Sequence, residues 1–355
     1  DYSCAMKLAA PLAVLSAMKE AAEHGILVKG GKFLEDASRA DTVVFDKTGT
    51  LTAAEPKLSR IIVFGKESED DMLATAACLE EHFTHPVARA IVQAAEDKGL
   101  KHPERHAKVE YIVAHGIVTT LNGKRLSIGS RHFTFDDEKI IPPENLDAII
   151  RDALDRGESL LYLAEEKRLL AAFAITDPVR ADAKEIVRHL HGTGIVNCTM
   201  ITGDDAGAAK TAAELTGIDH YIAHALPEDK VAYIEKQKRE GHTVIMIGDG
   251  INDAPALAAA NTGVAMGDCA EITGETADIV LPSGDGLAAL LKTRVMGQRL
   301  MKKIDDNNKN IIIINSALIA AGLFGFISPS LAAVLHNSST IAFAVRAMQP
   351  LLKKE

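Results

Sequence analysis

Thr42-Val43-Val44-Phe45-Asp46-Lys47-Thr48-Gly49-Thr50-Leu51-Thr52 is the stretch from which the fold is read. Its β-branched and aromatic opening predicts a buried strand, and Thr48-Gly49-Thr50 predicts a turn at that strand's carboxyl end. A carboxylate placed there, ahead of backbone amides that can cradle an anion, is positioned to attack a phosphoryl group. Further along, Ala181 to His191 predicts a helix, Cys198 to Ile201 a buried strand, Ala206 to Leu215 and Val231 to Glu240 helices, and Thr243 to Ile247 another strand. Short apolar strands alternating with helices predict a parallel sheet covered on both faces. Ligands bind outside the carboxyl ends of such strands, where Asp46, Thr202-Gly203-Asp204 and Gly248-Asp249-Gly250 all fall.

Between these parts lies a block of different character. Ile61 to Phe64 reads as a strand, and Asp70 to Lys98 as one acidic-led periodic helical segment. Val109 to Val113 and Ile117 to Ile128 alternate around the turn dipeptide Asn122-Gly123, and Leu160 to Ala174 forms a second hairpin through Glu165 to Arg168. This block is expected to be an inserted α+β domain spanning 55–174, about 120 residues and large enough for its own core. It splits the parallel-sheet domain into 33–54 and 175–290, with 1–32 a partial membrane helix and extension and 291–355 a closing pair of membrane helices. Ile311 to Ile327 carries no charge, Ser328-Pro329 breaks it, and Leu331 to Val345 is apolar around His336-Asn337-Ser338-Ser339-Thr340. Seventeen residues reach only about 25 Å at about 1.5 Å each, short of a hydrocarbon core of about 30 Å, so Ile304 onward must contribute.

Composition narrows the classes. A chain of 355 residues exceeds one typical core, and a net charge of -10 with no basic arm and no Trp argues against nucleic acid as a partner. Cys4, Cys78, Cys198 and Cys269 are widely spaced, which suits a reducing compartment and small core residues, Cys4 excepted. No secretory leader is read at the start.

Phosphoryl transfer to a carboxylate requires charge neutralisation. Asp249 and Asp253, in Gly248-Asp249-Gly250-Ile251-Asn252-Asp253, supply oxygen ligands for Mg²⁺ with Asp46 and Thr48, and Asn252 supports them. Thr202, with Gly203 and Asp204 beside it, and Lys230 supply a hydroxyl and an ammonium for the transferring oxygens. Each signal alone is a common turn or surface residue; their order together is specific.

Asp46-Lys47-Thr48-Gly49-Thr50-Leu51-Thr52 and Gly248-Asp249-Gly250-Ile251-Asn252-Asp253-Ala254-Pro255 resemble the signatures of P-type ATPases, in their heavy-metal branch. The resemblance implies a haloacid-dehalogenase-like, Rossmann-type α/β domain with an inserted nucleotide-binding domain, flanked by transmembrane helices. Soluble phosphatases of this fold carry a second Asp where this chain has Thr48, so the resemblance implies a persistent aspartyl phosphate. His85-Pro86 matches the pair this branch places at the adenine of ATP, and Glu110 and Gly116 match its following strand and turn. The family's usual Ser-Glu before His-Pro is Phe83-Thr84 here, and the first glycine of its Gly-x-Gly is Ala114.

Aligned on Pro11, Tyr2-Ser3-Cys4 stands where copper and zinc pumps carry Cys-Pro-Cys. One thiolate, with His336, Ser339 and Thr340, and with Asn307 and Asn315 at positions the family keeps polar, favours a mixed S/N/O site for a divalent ion of the Zn, Cd, Co, Fe, Mn or Ni class. Lys7, one turn from Cys4, would repel a cation unless it snorkels or pairs. Interhelical glue is the plainer role for these polar groups. Thr273-Gly274-Glu275 spells the family's dephosphorylation motif but sits past the Asp249 loop, where that motif does not belong.

The expectation is the carboxyl-terminal part of an ATP-driven metal pump, multi-pass in the plasma membrane of a bacterium, with its catalytic domains cytoplasmic and export as its direction. As a fragment it would lack the actuator and upstream membrane helices and turn over poorly. The alternative is a soluble haloacid-dehalogenase-like phosphohydrolase with the inserted block as a cap, and a non-catalytic nucleotide-binding subunit is a third class.

Overall fold

The computed structural model describes residues 3–53, 55–81, 86–100, 109–112, 116–121, 123–204, 206–250, 253–267, 271–284 and 286–352. In chain order the first elements are α1 (Ser3–Glu23), β1 (Leu27–Val28), α2 (Gly31–Arg39), β2 (Thr42–Phe45), β3 (Lys57–Val63), α3 (Glu69–Glu80) and α4 (Pro86–Asp97). There follow β4 (Val109–Ile112), β5 (Gly116–Leu121), β6 (Lys124–Gly129), α5 (Leu146–Asp155), β7 (Ser159–Glu165), β8 (Arg168–Thr176), α6 (Ala183–Gly192), β9 (Asn197–Ile201), α7 (Ala206–Thr216) and β10 (His220–Ile222). The chain closes with α8 (Pro227–Arg239), β11 (Val244–Gly248), α9 (Ala254–Ala259), β12 (Thr262–Ala265), α10 (Glu271–Thr276), β13 (Ile279–Val280), α11 (Gly286–Leu323) and α12 (Pro329–Ala347). They group into two compact units, Asp1–Asp46 with Asp182–Ile201 and Ala225–Glu355, and Lys47–Ala181 with Thr202–His224.

The first unit holds a sheet in the order β1-β13-β12-β11-β2-β9, parallel except for the β1/β13 pair. Every residue of β2, β11 and β12 is buried, the pattern of strands covered on both faces. The chain runs from β2 outward to β9 on one side and then returns to β11 on the other, so the order reverses beside β2. Phe45 pairs with Ile247 across that reversal and with Met200 on the other flank, which brings Asp46 out next to the end of β11.

Helix α1 packs against α11 and α12, and α11 packs through its first half against α2 and α6. Ala5, Ala9, Ala13, Ala17 and Ala21 recur every fourth residue on α1 and are all buried, so one side of that helix is a ladder of methyl groups. Helix α11 has 38 residues, about 57 Å at about 1.5 Å per residue. Outward from its second half and from α12, Ile312, Ile313, Ile319, Leu323, Leu331 and Ile341 are exposed.

Among the described residues no helix is long and apolar enough to cross a membrane. Within α11 charged and amide residues extend to Asn310 and the helix ends at Leu323, and His336 to Thr340 interrupts the apolar run of α12.

The second unit contains an antiparallel sheet in the order β3-β8-β7-β6-β5-β4. Alternation along β7 splits it into two cores. Leu163 joins Leu73, Ala76, Ile91 and Phe173 under α3 and α4, while Tyr162 joins Leu146, Leu169 and Ala172 on the face of α5. The segment expected as one helix from Asp70 to Lys98 is two, because Pro86, which lacks an N–H, opens α4 instead of continuing α3. Glu166, with φ +54°, turns the β7–β8 hairpin. Cys198 is buried and Cys78 half-buried, and Cys269 lies outside the described residues.

Candidate active site

Asp46 follows the last residue of β2 and is 8% exposed, its N–H donating to the Ile247 carbonyl at 2.9 Å. Lys230 reaches it from α8, whose start is fixed by Pro227 and by the Leu226 N–H donating to Asp229 Oδ2 at 2.9 Å. The Lys230 ammonium donates both to Asp46 Oδ1 and to Asp253 Oδ1, the latter at 2.7 Å. Asp253 is held in turn by the Gly250 N–H, which donates to its Oδ2 at 3.2 Å. Gly248 makes room for this carboxylate, since a Cβ there would lie 2.6 Å from Asp253 Oδ2.

Asp46, Asp249 and Asp253 each offer an oxygen within 4.8 Å of the others. Three carboxylates face one ammonium, leaving two negative charges if all are ionised. Burial, then the charge of Asp253, raises the Asp46 carboxyl to about 7 against the pull of Lys230. Burial alone would lower the pKa of Lys230, but Asp46 and Asp253 more than offset it and the net direction is upward. A hard divalent cation fits this donor set and this charge deficit, with Asp46, Asp249 and Asp253 as the residues that would hold Mg²⁺.

The loop after Asp46 belongs to the second unit and is secured there in part by Asp177 and Arg180, which the sequence reading did not single out. Gly49, at φ +73°, turns the chain and donates its N–H to Thr52 Oγ1 at 3.0 Å. Thr52 Oγ1 donates to Asp177 Oδ2 at 2.6 Å. Arg180 donates through Nε to the Thr50 and Thr52 carbonyls, both at 3.0 Å, and through Nη2 to the Gly49 carbonyl at 3.2 Å. Lys47 forms an ion pair with Asp204, whose N–H donates to Thr202 Oγ1 at 3.1 Å. Thr202 is buried and Gly203 exposed. Thr48, at φ −73° and ψ 128°, sits in the turn itself.

Of the residues expected to meet ATP, His85 lies outside the described residues, as does Asn252 of the Mg²⁺ set. Pro86 opens α4, and Glu110 pairs with Val118 in the β4–β5 ladder. Gly116 has a packing role in its own right, because a Cβ there would run into the Phe133 ring. Glu80, at the end of α3 and 6% exposed, was not singled out; burial alone raises its carboxyl to about 7.

The polar groups of the closing helices divide. His336 Nδ1 lies 3.0 Å from Asn315 Oδ1, and the Ser339 and Thr340 hydroxyls donate back to the His336 carbonyl at 2.7 and 3.1 Å. Both side-chain polar atoms of Asn307, and Nδ2 of Asn315, are buried without a partner among the described residues. Cys4 and Lys7 are exposed on α1. The Thr273-Gly274-Glu275 run lies in α10, and Lys29 donates its ammonium to the Gly274 and Glu275 carbonyls at that helix's end, which gives the run a structural place away from Asp46.

A carboxylate at a strand end beside the reversal of a parallel sheet, with a lysine and two further carboxylates around it, defines a class. The chain belongs to the haloacid dehalogenase-like hydrolase family, which it matches over residues 40–261. Its relatives sharpen that and bear out the resemblance to heavy-metal P-type ATPases. It is 39% identical over 341 residues to a zinc-exporting P-type ATPase of Mycobacterium marinum, covering 96% of this chain and 46% of that protein. It is 38% identical to a manganese-exporting P-type ATPase of Mycobacterium leprae, covering 96% and 47%. A crystal structure of a zinc-transporting PIB-type ATPase in the E2.Pi state matches with a TM-score of 0.83 at 31% identity, covering 97% of this chain and 55% of that one. The chain spans about half the length of the relatives it matches.

Proposed function

We propose that the protein drives export of a divalent metal ion across a membrane by transferring the γ-phosphoryl group of ATP to Asp46. The observation that carries this reading is the group of buried Asp46, Lys230 and Asp253 with half-buried Asp249 at the mouth of β2 and β11. In the step proposed, an Asp46 carboxylate oxygen forms a bond to the γ-phosphorus, the bond from that phosphorus to the bridging oxygen breaks, and ADP leaves with the electron pair. Lys230 orients the carboxylate and offsets its charge, and Lys47, Thr202 and Asp204 are assigned to the same step by their motifs. When bound, Mg²⁺ would neutralise charge on the transferring oxygens. Thr48 in place of a second Asp leaves no proton-transfer group at that position, which favours a lasting acyl phosphate as the signal for transport.

The nucleotide is assigned to the inserted block, 55–174, through His85, Pro86, Glu110 and Gly116. The cargo is assigned to the closing helices: with Nδ1 donating to Asn315 Oδ1, the His336 ring presents Nε2 as a lone pair, and Asn307, two turns earlier on α11, keeps both amide atoms without a partner among the described residues. Ser339, Thr340 and Cys4 complete a mixed donor set for zinc or a neighbouring first-row divalent ion. The exposed apolar residues of α11 and α12 support a bilayer as their surroundings, with the sheet unit on the cytoplasmic side. Incubation of the full-length protein with γ-labelled ATP tests the reading. Acid-stable label that requires Mg²⁺ and disappears in Asp46→Asn is expected, and label that survives Asp46→Asn defeats it.

A further inference from the structure

Arg294 is a charged side chain buried to 3% exposure on α11, and among the described residues no carboxylate hydrogen-bonds to it. Its Nε donates to Thr193 Oγ1 and its Nη2 to the Thr193 carbonyl, both at 3.0 Å, while Nη1 donates to the Ala37 carbonyl. Thr193 caps the end of α6 and Ala37 lies in the last turn of α2. The guanidinium therefore closes the carbonyl ends of two helices, whose dipoles offset the cost of burying it. One turn along the same face, Gly297 lets α11 approach α2 so closely that a Cβ would meet the Leu34 carbonyl and lie 3.2 Å from Ser38 Cβ. Gln298 adds an Nε2 bond to the Thr193 carbonyl at 2.7 Å. Positions 294, 297 and 298 make one contact face.

What that face holds leads directly to the catalytic strands. Helix α2 runs through Ala40 and Asp41 into β2 and Asp46, and α6 runs through Thr193 into β9, after which Thr202 follows. Asp41 joins the strand entries. Its Oδ2 lies 3.1 Å from His242 Nδ1, its Oδ1 accepts the Thr243 N–H at 3.2 Å ahead of β11, and its carbonyl accepts the Val196 and Asn197 N–H groups at 2.7 and 3.1 Å. In the other direction α11 continues without a break to Asn307 and Asn315, the latter about 31 Å from Arg294 at about 1.5 Å per residue.

We propose that Arg294 is a positioning residue that couples the two ends of α11: its guanidinium makes the entries of β2 and β9 move with the helix that carries Asn307 and Asn315. A planar fork suits this task because it grips two carbonyl ends at once in a fixed relation, which a lysine ammonium on a flexible stem does not. The inference rests on the reading of Asp46 as phosphoryl acceptor and of the Asn315–His336 group as part of the ion path.

The test uses the full-length protein and its Arg294→Lys variant, with Zn²⁺ and Mn²⁺ as probes. Four quantities are read: ion-stimulated over unstimulated ATPase rate, KM for ATP, ion-binding stoichiometry, and thermal midpoint. Arg294→Lys is expected to lower the stimulation ratio about tenfold, the span of a typical coupling energy, with KM and stoichiometry as in the wild type. A purely structural role would instead lower every rate in proportion to the folded fraction and leave the ratio alone, and a ratio within about twofold of wild type overturns the proposal. Should Arg294→Lys fail to fold, Gln298→Ala carries the test, because it removes one bond to the same Thr193 carbonyl and keeps the charge. It must lower the ratio, and an unchanged ratio overturns the proposal. A wild-type protein with no ion-stimulated Asp46 phosphorylation defeats the parent reading, an outcome distinct from a stimulated wild type whose variants keep the ratio.

Discussion

Lys230 and Asp253 are joined at 2.7 Å inside the first unit, and the same ammonium also holds Asp46, so one cation sets the spacing of the proposed acceptor and a carboxylate proposed to bind Mg²⁺. Replacing it by Lys230→Met leaves buried carboxylates without their counter-charge, a change that costs about 3–5 kcal/mol. Urea denaturation should show that loss in metal-free buffer, and Mg²⁺ should stabilise the variant more than it stabilises the wild type. Equal Mg²⁺ effects in both proteins would mean that Lys230 and the ion do not share these carboxylates.

Glu80, in the second unit, gives a pH test of its own. Burial raises its carboxyl from 4.5 to about 7, so the folded state keeps a proton that the unfolded chain releases. Its contribution is therefore favourable at low pH and is lost as pH rises from about 4.5 to about 7. A shift of that size corresponds to at most about 3 kcal/mol. Glu80→Gln should flatten this part of the stability-versus-pH curve and raise the melting midpoint at pH 8. A variant no more stable than wild type at pH 8 would show that the carboxylate finds a partner when it ionises.

Gly248 should tolerate no side chain. Gly248→Ala places a methyl group 2.6 Å from Asp253 Oδ2, which pushes that carboxylate off the Gly250 N–H and away from Lys230. Phosphorylation of Asp46 should fall at least about a hundredfold, and the concentration of Mg²⁺ needed for half-maximal labelling should rise. Unchanged Mg²⁺ dependence would show that Asp253 does not bind the ion.

Arg180 holds the loop after Asp46 by three carbonyls, of Gly49, Thr50 and Thr52. Arg180→Lys keeps the charge and loses the fork, so the rate of acyl-phosphate formation should drop about tenfold or more in rapid-quench assays while the circular dichroism spectrum is retained. Thr52→Val, which breaks the bond to Asp177, should act in the same direction.

The parallel sheet was legible because its signals are local. Thr42 to Phe45 and Val244 to Ile247 are short, wholly buried runs, each followed by a loop that carries a carboxylate, Asp46 or Asp249. Asp46 and the Asp249 loop were readable for the same reason, as short motifs after strands, whereas Lys230 lies on α8 and only its place in the order of the motifs singled it out. What escaped was set by tertiary geometry. Asp177 meets Thr52 across 125 positions, and no spacing rule announces a pair that distant. Arg294 reads in sequence as one more cation on a long helix, and only the arrival of two helix ends makes it a buried residue. The split between α3 and α4 turned on Pro86, which the helical periodicity of Asp70 to Lys98 had masked. The reach of α11 was hidden too, since its charged first half and apolar second half look like separate segments but form one helix.

The methyl ladder of α1 has a mechanical consequence. Side chains that interlock set a helix in one axial position, because moving it requires each knob to leave its hole. Alanines at 5, 9, 13, 17 and 21 present almost no knobs, so the axial position of α1 rests on its other contacts, among them Ser16 Oγ donating to the Met348 carbonyl at 3.0 Å. The exception is Val14, whose methyl group fills the space left by the missing side chain of Gly31 at the start of α2. Val14 seated against Gly31 and the Glu20 carboxylate bound to the Leu351 and Leu352 N–H groups therefore define the register that the alanines alone leave open.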